Sequence, residues 1–272
     1  MDEKDDLDDR PASGKRSGTI NSVSVAARFL HCLANAPKPL PLGAIAEQTE
    51  SGSSTAHRYM QSLIKEGLAV QDPTTGLYDL GPMALSIGIA AIRRIDGVEI
   101  ASRHMKTLVS ETMSSGGVAI WTERGPTLVR WYRNAYFSIS SLGLGDILPI
   151  DNSACGLCFQ AFLPPERIES ARRLQPPHFR GRKVRAGDLE KIRHECWAEL
   201  TGHLLPTITG LAVPVFDAQN EIVCVMTTVT DLGQNRSAND AATLFAHARK
   251  VALQTGGSDC LELSAMDGNV RG

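Results

Sequence analysis

The residues best equipped for chemistry fall into two short stretches. The first is SSTAHRYMQ, where Ser53, Ser54, Thr55, His57, Arg58 and Gln61 crowd hydrogen-bond donors into the opening turns of an apolar-striped segment. Hydroxyls and helix-terminal N–H groups suit phosphate oxygens, a guanidinium suits a phosphate or a guanine edge, and His and Gln suit either. The second is SACGLC, with Cys155 and Cys158 on one expected helix. A thiol at a helix start can act as a nucleophile, with His178 or His203 as base, or as a redox sensor. Two cysteines at this spacing are also half a metal site, but no second pair accompanies them; buried small hydrophobes, and no metal, are the expectation. No Gly-x-Ser-x-Gly, zinc-protease, P-loop or dinucleotide motif occurs in a supporting context, so neither an enzyme nor a cofactor is expected.

The elements around the first stretch say what positions it. Residues 1–19 are charged and poor in apolar side chains, which predicts a flexible tail. Val23, Ala26, Ala27, Leu30 and Leu33 or Ala34 recur at helical spacing until NAPKP breaks the run, and Leu42, Ile45 and Ala46 mark a second short helix. A third runs from about Ser54 to Glu66, capped by Ser53 or Ser54, with Ala56, Tyr59, Met60, Leu63 and Ile64 inward and Gly67 ending it. LAVQD and LYDLG around PTTG read as a hairpin. Three helices and a hairpin make the order of a winged helix-turn-helix, whose second helix of the pair enters the major groove. The expected layout is this domain over 20–81, a connector helix over 82–97, an effector domain over 98–256 and a second flexible tail over 257–272.

Beyond residue 97 the character changes. GVEIASRHMKTLVSETM has helical spacing; GVAIWTE, TLVRWYR, GLAVPVF and EIVCVMTTV read as strands, with helices around 153–173, 187–200 and 236–254. This predicts an α+β domain. No apolar run approaches the roughly 20 residues that span a bilayer, and the acidic start lacks a secretory signal, so a soluble, cytoplasmic protein with no membrane partner is expected. The six cysteines are scattered through apolar surroundings and are expected to be reduced. Net charge is −2, so a nucleic-acid surface must be a local patch.

The stretch LGAIAEQTESGSSTAHRYMQSLIKEGLAVQDPTTGLYDLG resembles the N-terminal domain of IclR-family bacterial transcriptional regulators in its Ser-Thr-Ala-His-Arg helix, Gly67-Leu68 and Tyr78-x-Leu80-Gly81 ending. GDILPIDNSACGLCFQAFLP is similar to the family's Gly-x-x-Leu-Pro segment and Ala-x-Gly helix, and GLAVPVFDAQNEIVCVMTTVT to its two late strands. The resemblance covers 20 to 255. It implies a mainly α winged helix-turn-helix domain joined to an α+β, GAF-like effector domain, with double-stranded operator DNA and a small organic effector as partners, in a homodimer or a dimer-of-dimers tetramer. It also implies that the effector, a carboxylate or aromatic acid, lies against Ala154, Cys155 and Gly156, then Ile208, Gly210 and Thr227. The chain departs from the family in carrying Glu50-Ser51-Gly52-Ser53 where Gly-Leu-Pro-Lys is common, and His203 and Pro206 where acidic residues and a glycine are common. Two other readings stand beside this one: a winged-helix protein-interaction module and a thiol redox-sensing regulator without a metabolite effector.

Overall fold

The computed structural model describes residues 20–112, 114–134, 142–179, 181, 184–202, 208–231 and 238–258. His203, Pro206 and the first tail lie outside them. The chain divides into two compact units, residues to Ala91 and residues from Ile92.

The N-terminal unit contains α1 (Asn21–Asn35), α2 (Leu42–Gln48), α3 (Ser53–Lys65), β1 (Ala69–Gln71), β2 (Tyr78–Leu80) and α4 (Pro82–Ile92). Its core joins Phe29 and Leu33 of α1, Ile45 and Ala46 of α2, and Ala56, Met60 and Leu63 of α3, with Tyr78 from the hairpin. The expected stripe on α1 holds in part: Ala26, Leu30 and Leu33 face inward, whereas Val23, Ala27 and Ala34 are exposed and Val25 and Phe29 complete the inward face. Phe29 decides the phase because its ring stacks on Tyr59, centroids 5.2 Å apart, a contact between helices that spacing within one helix cannot reveal.

Two turns fix how α3 is presented. Glu50 N donates to Glu47 O and Ser51 N to Ala46 O, a Schellman closure of α2 with Glu50 at φ +51°. The same closure recurs after α3, where Gly67 at φ +71° donates to Ile64 O and Leu68 N to Leu63 O. The expected serine cap on α3 is absent: the N-cap is Gly52, which has no side chain, and Ser53 is already the first helical residue. In the hairpin, Ala69 pairs with Leu80 and Gln71 with Tyr78, and Leu40 bridges to Tyr78 on the other side. The tip is an Asx turn, with Asp72 Oδ1 accepting from Thr74 N and Thr75 N. These two backbone donors hold the Asp72 carboxyl below its ordinary range. No residue of α4 is buried, although most of it is apolar.

The C-terminal unit contains α5 (Gly97–Glu111), β3 (Ser115–Thr122), β4 (Gly125–Tyr132), α6 (Ala154–Phe162), α7 (Pro165–Leu174), a 3₁₀ turn (Pro177–Phe179), α8 (Ala186–Glu195), β5 (Ala198–Thr201), β6 (Ile208–Phe216), β7 (Ile222–Asp231) and α9 (Ala238–Thr255). The strands form one antiparallel sheet in the order β4-β3-β7-β6-β5. Period-two alternation splits its side chains. Cys224 and Met226 join Leu108, Leu244 and Val251 under α5 and α9; Val225 and Ala212 join Cys158 and Phe159 under α6 and α8.

Three expectations need correcting here. The helical reading of 187–200 runs too far: α8 ends where Cys196 adopts φ +57°, and residues 198–201 instead pair with β6 as an edge strand. Helical spacing persists through that segment, but the free edge of β6 captures it. Cys196 is also disulfide-bonded, against the expectation that the cysteines are reduced. The chain from 257 does not begin as a free tail, because Ser258 N and Oγ both donate to Asn220 Oδ1.

Candidate functional site

The first site is the outer face of α3. Ala56, Met60 and Leu63 point into the core, which by the 3.6-residue period turns Ser53, Ser54, Thr55, His57, Arg58 and Gln61 outward; all six are exposed. With Gly52 as cap, no side chain occupies the first-turn N–H groups, which together with the helix dipole form an anion-attracting end. Ser62 Oγ donates back to the backbone carbonyl of Arg58 at 2.9 Å.

The second site is a cavity of about 40 Å³ on the α6 side of the sheet. Its floor is built by Ile208 and Gly210 of β6 and Thr227 and Val229 of β7, and α6 presents Ala154 and Cys155 to it. How α6 is aimed follows from the segment before it. Leu128 N donates to Asp146 O, and Leu148 N to Pro126 O, so residues 146–148 run along the outer edge of β4. Ser153 then turns the chain into α6, its Oγ donating to Pro149 O at 2.6 Å and accepting from Gly156 N at 2.9 Å.

Five of the six residues implied for the effector, Ala154, Cys155, Ile208, Gly210 and Thr227, line this one cavity; the sixth, Gly156, does not. A methyl group on Gly156 would sit 2.1 Å from Ile150 O and 2.4 Å from Pro149 O. The glycine in Ala-x-Gly therefore lets the preceding loop close over the helix.

Several side chains that the motifs did not indicate hold that loop. Gln175 accepts from Ile150 N at 3.0 Å and donates to Leu148 O, and Gln160 donates to Ile150 O at 2.8 Å. Arg172 Nη2 bridges Asp151 Oδ1 at 2.7 Å and Gln160 Oε1 at 2.9 Å. A buried glutamine inside a helix is the signal sequence could have offered, since such a group needs partners. Trp131, Leu142 and Leu200 also line the cavity.

Burial decides the chemistry of the cysteines. The Cys155 thiol is pushed up to about 12 by burial, only partly offset by its hydrogen bond with Thr227, and Cys158 is raised as well, by burial and by Cys155. Both stay protonated at neutral pH, which removes the nucleophilic form. Among the described residues no group of three metal-binding side chains occurs. His178, one proposed base, is exposed in the 3₁₀ turn.

Comparison with known proteins follows the same division. Residues 22–73 match the IclR helix-turn-helix domain, and residues 89–255 match the C-terminal domain of bacterial IclR transcriptional regulators. The chain belongs to the IclR family.

Among its relatives, the glycerol operon regulatory protein of Streptomyces griseus is 28% identical over 75% of this chain and 82% of its own. The solved structure of Pseudomonas aeruginosa HmgR superimposes with a TM-score of 0.78 at 30% identity, covering 88% of this chain and 99% of HmgR. The repressor BlcR of Agobacterium tumefaciens, at 15% identity, has the same fold with a TM-score of 0.72 over 89% of this chain and all of its own. As an IclR-family regulator, the chain is a DNA-binding protein with an effector-binding C-terminal domain and no enzymatic role. No described helix is long and apolar enough to cross a membrane.

Proposed function

We propose that the protein regulates transcription by binding operator DNA as a dimer whose DNA affinity is set by a small organic acid. In this reading α3 lies in the major groove. Ser53, Ser54 and Thr55 meet phosphates, Arg58 meets a guanine edge or a phosphate, and His57 and Gln61 complete the contacts, with the hairpin tip on the flanking backbone. The observation that carries the effector half is the convergence of residues from α6, β6 and β7 on one cavity at a helix start. The positive end of the helix dipole there suits a carboxylate.

The exposed apolar side chains of α4, with Leu85 66% and Ile87 56% exposed, support its pairing with the same helix of a second copy. Dimers would space two recognition helices about one DNA turn apart or a multiple of it, and two dimers would pair into a tetramer. The effector acts by favouring one spacing over the other. The thiol-sensing alternative has less support, because Cys155 is both buried and protonated.

Gly210→Ala tests the effector half without disturbing the fold. The added methyl would lie 3.7 Å from Ala154 Cβ and 4.0 Å from Val229 Cγ1, ordinary contact distances. It should weaken the ligand response while leaving ligand-free DNA binding unchanged. Equal response in the variant would place the ligand elsewhere.

A further inference from the structure

The indole N–H of Trp131 is buried and has no hydrogen-bond partner. Buried polar groups in folded proteins are nearly always paired, so such an orphan calls for an explanation. Trp131 lines the cavity described above, and two features of the sheet put it there. Val118 pairs with Arg130 but Ala119 pairs with Leu128, so β4 carries one extra residue at Val129. In a regular strand Leu128 and Trp131, three apart, would face opposite sides; the bulge brings both to the α6 face. Opposite Trp131 stands Gly117, where a side chain would sit 3.0 Å from the indole ring. The ring is thus held over the cavity by backbone geometry.

The other polar groups of the wall are occupied within the protein. Thr227 Oγ1 donates to Leu211 O at 2.7 Å, and Ser153 Oγ is engaged with Pro149 and Gly156. None of the described lining residues carries a charge. Among the described lining residues, the side-chain donor left unpaired for an anion is Trp131 Nε1.

We infer that Trp131 is the residue that selects the effector: its indole N–H donates to a carboxylate oxygen of a short aliphatic acid whose chain lies on Leu128, Leu148 and Val229. This deepens the proposed function and rests on the cavity being the effector site. The preference for a short acid follows from volume: about 40 Å³ is well short of the roughly 150 Å³ cavity that accepts benzene, so the smallest acid needs the least expansion of the walls. A neutral-donor wall also discriminates against ligands that lack an acceptor, because the buried N–H then stays unpaired.

The test is calorimetric titration of the full chain with acetate, butanoate and benzoate, in the wild type, Trp131→Phe and Gly210→Ala. Phe keeps most of the ring and removes the donor. Butanoate or acetate should bind the wild type and shift its tryptophan emission, and should bind Trp131→Phe about 10-fold more weakly, equivalent to about 1.4 kcal/mol. Matching thermal midpoints would show that the variant is folded. Short-acid binding that Gly210→Ala weakens and Trp131→Phe leaves unchanged would overturn the role of Trp131 while the cavity remained the effector site. Benzoate binding with neither short acid would overturn the preference for a short acid. No binding of any of the three would remove the inference together with the acid-effector reading on which it rests.

Discussion

Gly117 stands directly across the β3–β4 ladder from Trp131, and a methyl group on it would lie 2.1 Å from Arg130 O and 3.0 Å from the indole ring. The first contact is with backbone and cannot be relieved by a rotamer change. Gly117→Ala should therefore cost about 2–3 kcal/mol, in the range of overpacked cores. All three tryptophans lie in the C-terminal unit, so urea denaturation followed by their emission reads this change. A loss under about 0.5 kcal/mol, the ordinary range of surface substitutions, would mean that the ring has room to move.

Glu50 sits at φ +51° in the turn between α2 and α3, a conformation that costs a non-glycine residue about 1 kcal/mol. Glu50→Gly should stabilise the N-terminal unit by about that amount, visible as a higher melting transition in calorimetry. Since its amide closes the Schellman motif through Glu47 O, the turn itself should persist. A lower transition would mean that the Glu50 side chain contributes something the backbone does not.

A directed chain of hydrogen bonds ties α5 to α9. Gln254 Nε2 lies 2.8 Å from His104 Nε2, His104 Nδ1 lies 3.0 Å from His247 Nδ1, and His247 Nε2 lies 3.1 Å from Glu111 Oε2. One proton on each ring satisfies all three contacts with both histidines neutral. Burial, then the charges of His247, Lys250 and Arg103, lower His104 below its ordinary 6.5. A histidine depressed in the folded state contributes stability that is present above about pH 6.5 and is lost as pH falls through its folded value. The wild type should thus lose more thermal stability than His104→Asn between about pH 7.5 and 5.5. Parallel losses would exclude His104 as the titrating group.

If α4 pairs two copies, Leu85→Glu should move the protein from dimer to monomer in light scattering, since Leu85 is exposed in one protomer and touches no core. An unchanged mass would take Leu85 out of the interface.

How much of this was legible in the sequence differs by element. The inward face of α3 follows from the spacing of Ala56, Met60 and Leu63, because a helix on a core repeats that spacing. The five cavity residues followed from a resemblance spanning three motifs. Trp131 did not, because its facing depends on a bulge, and strand alternation counted along TLVRWYR gives the wrong side. Arg172 and Gln175 were equally hidden, since each acts on a loop distant in sequence, and Gln160 left only the signal of a polar side chain inside an apolar helix. Strand β5 was lost for a similar reason, its partner β6 lying outside any local window.

The central claim is that α3 reads DNA and that an acid in the cavity alters the reading. The most direct test is fluorescence anisotropy on the DNA upstream of the protein's own gene, across a salt series, with and without a short carboxylic acid, for the wild type and Arg58→Ala. The account predicts wild-type affinity that falls steeply with salt, is shifted by the acid, and drops about 10-fold in Arg58→Ala. Absence of specific binding at every salt concentration, or an operator affinity unaffected by both the acid and Arg58→Ala, would contradict it.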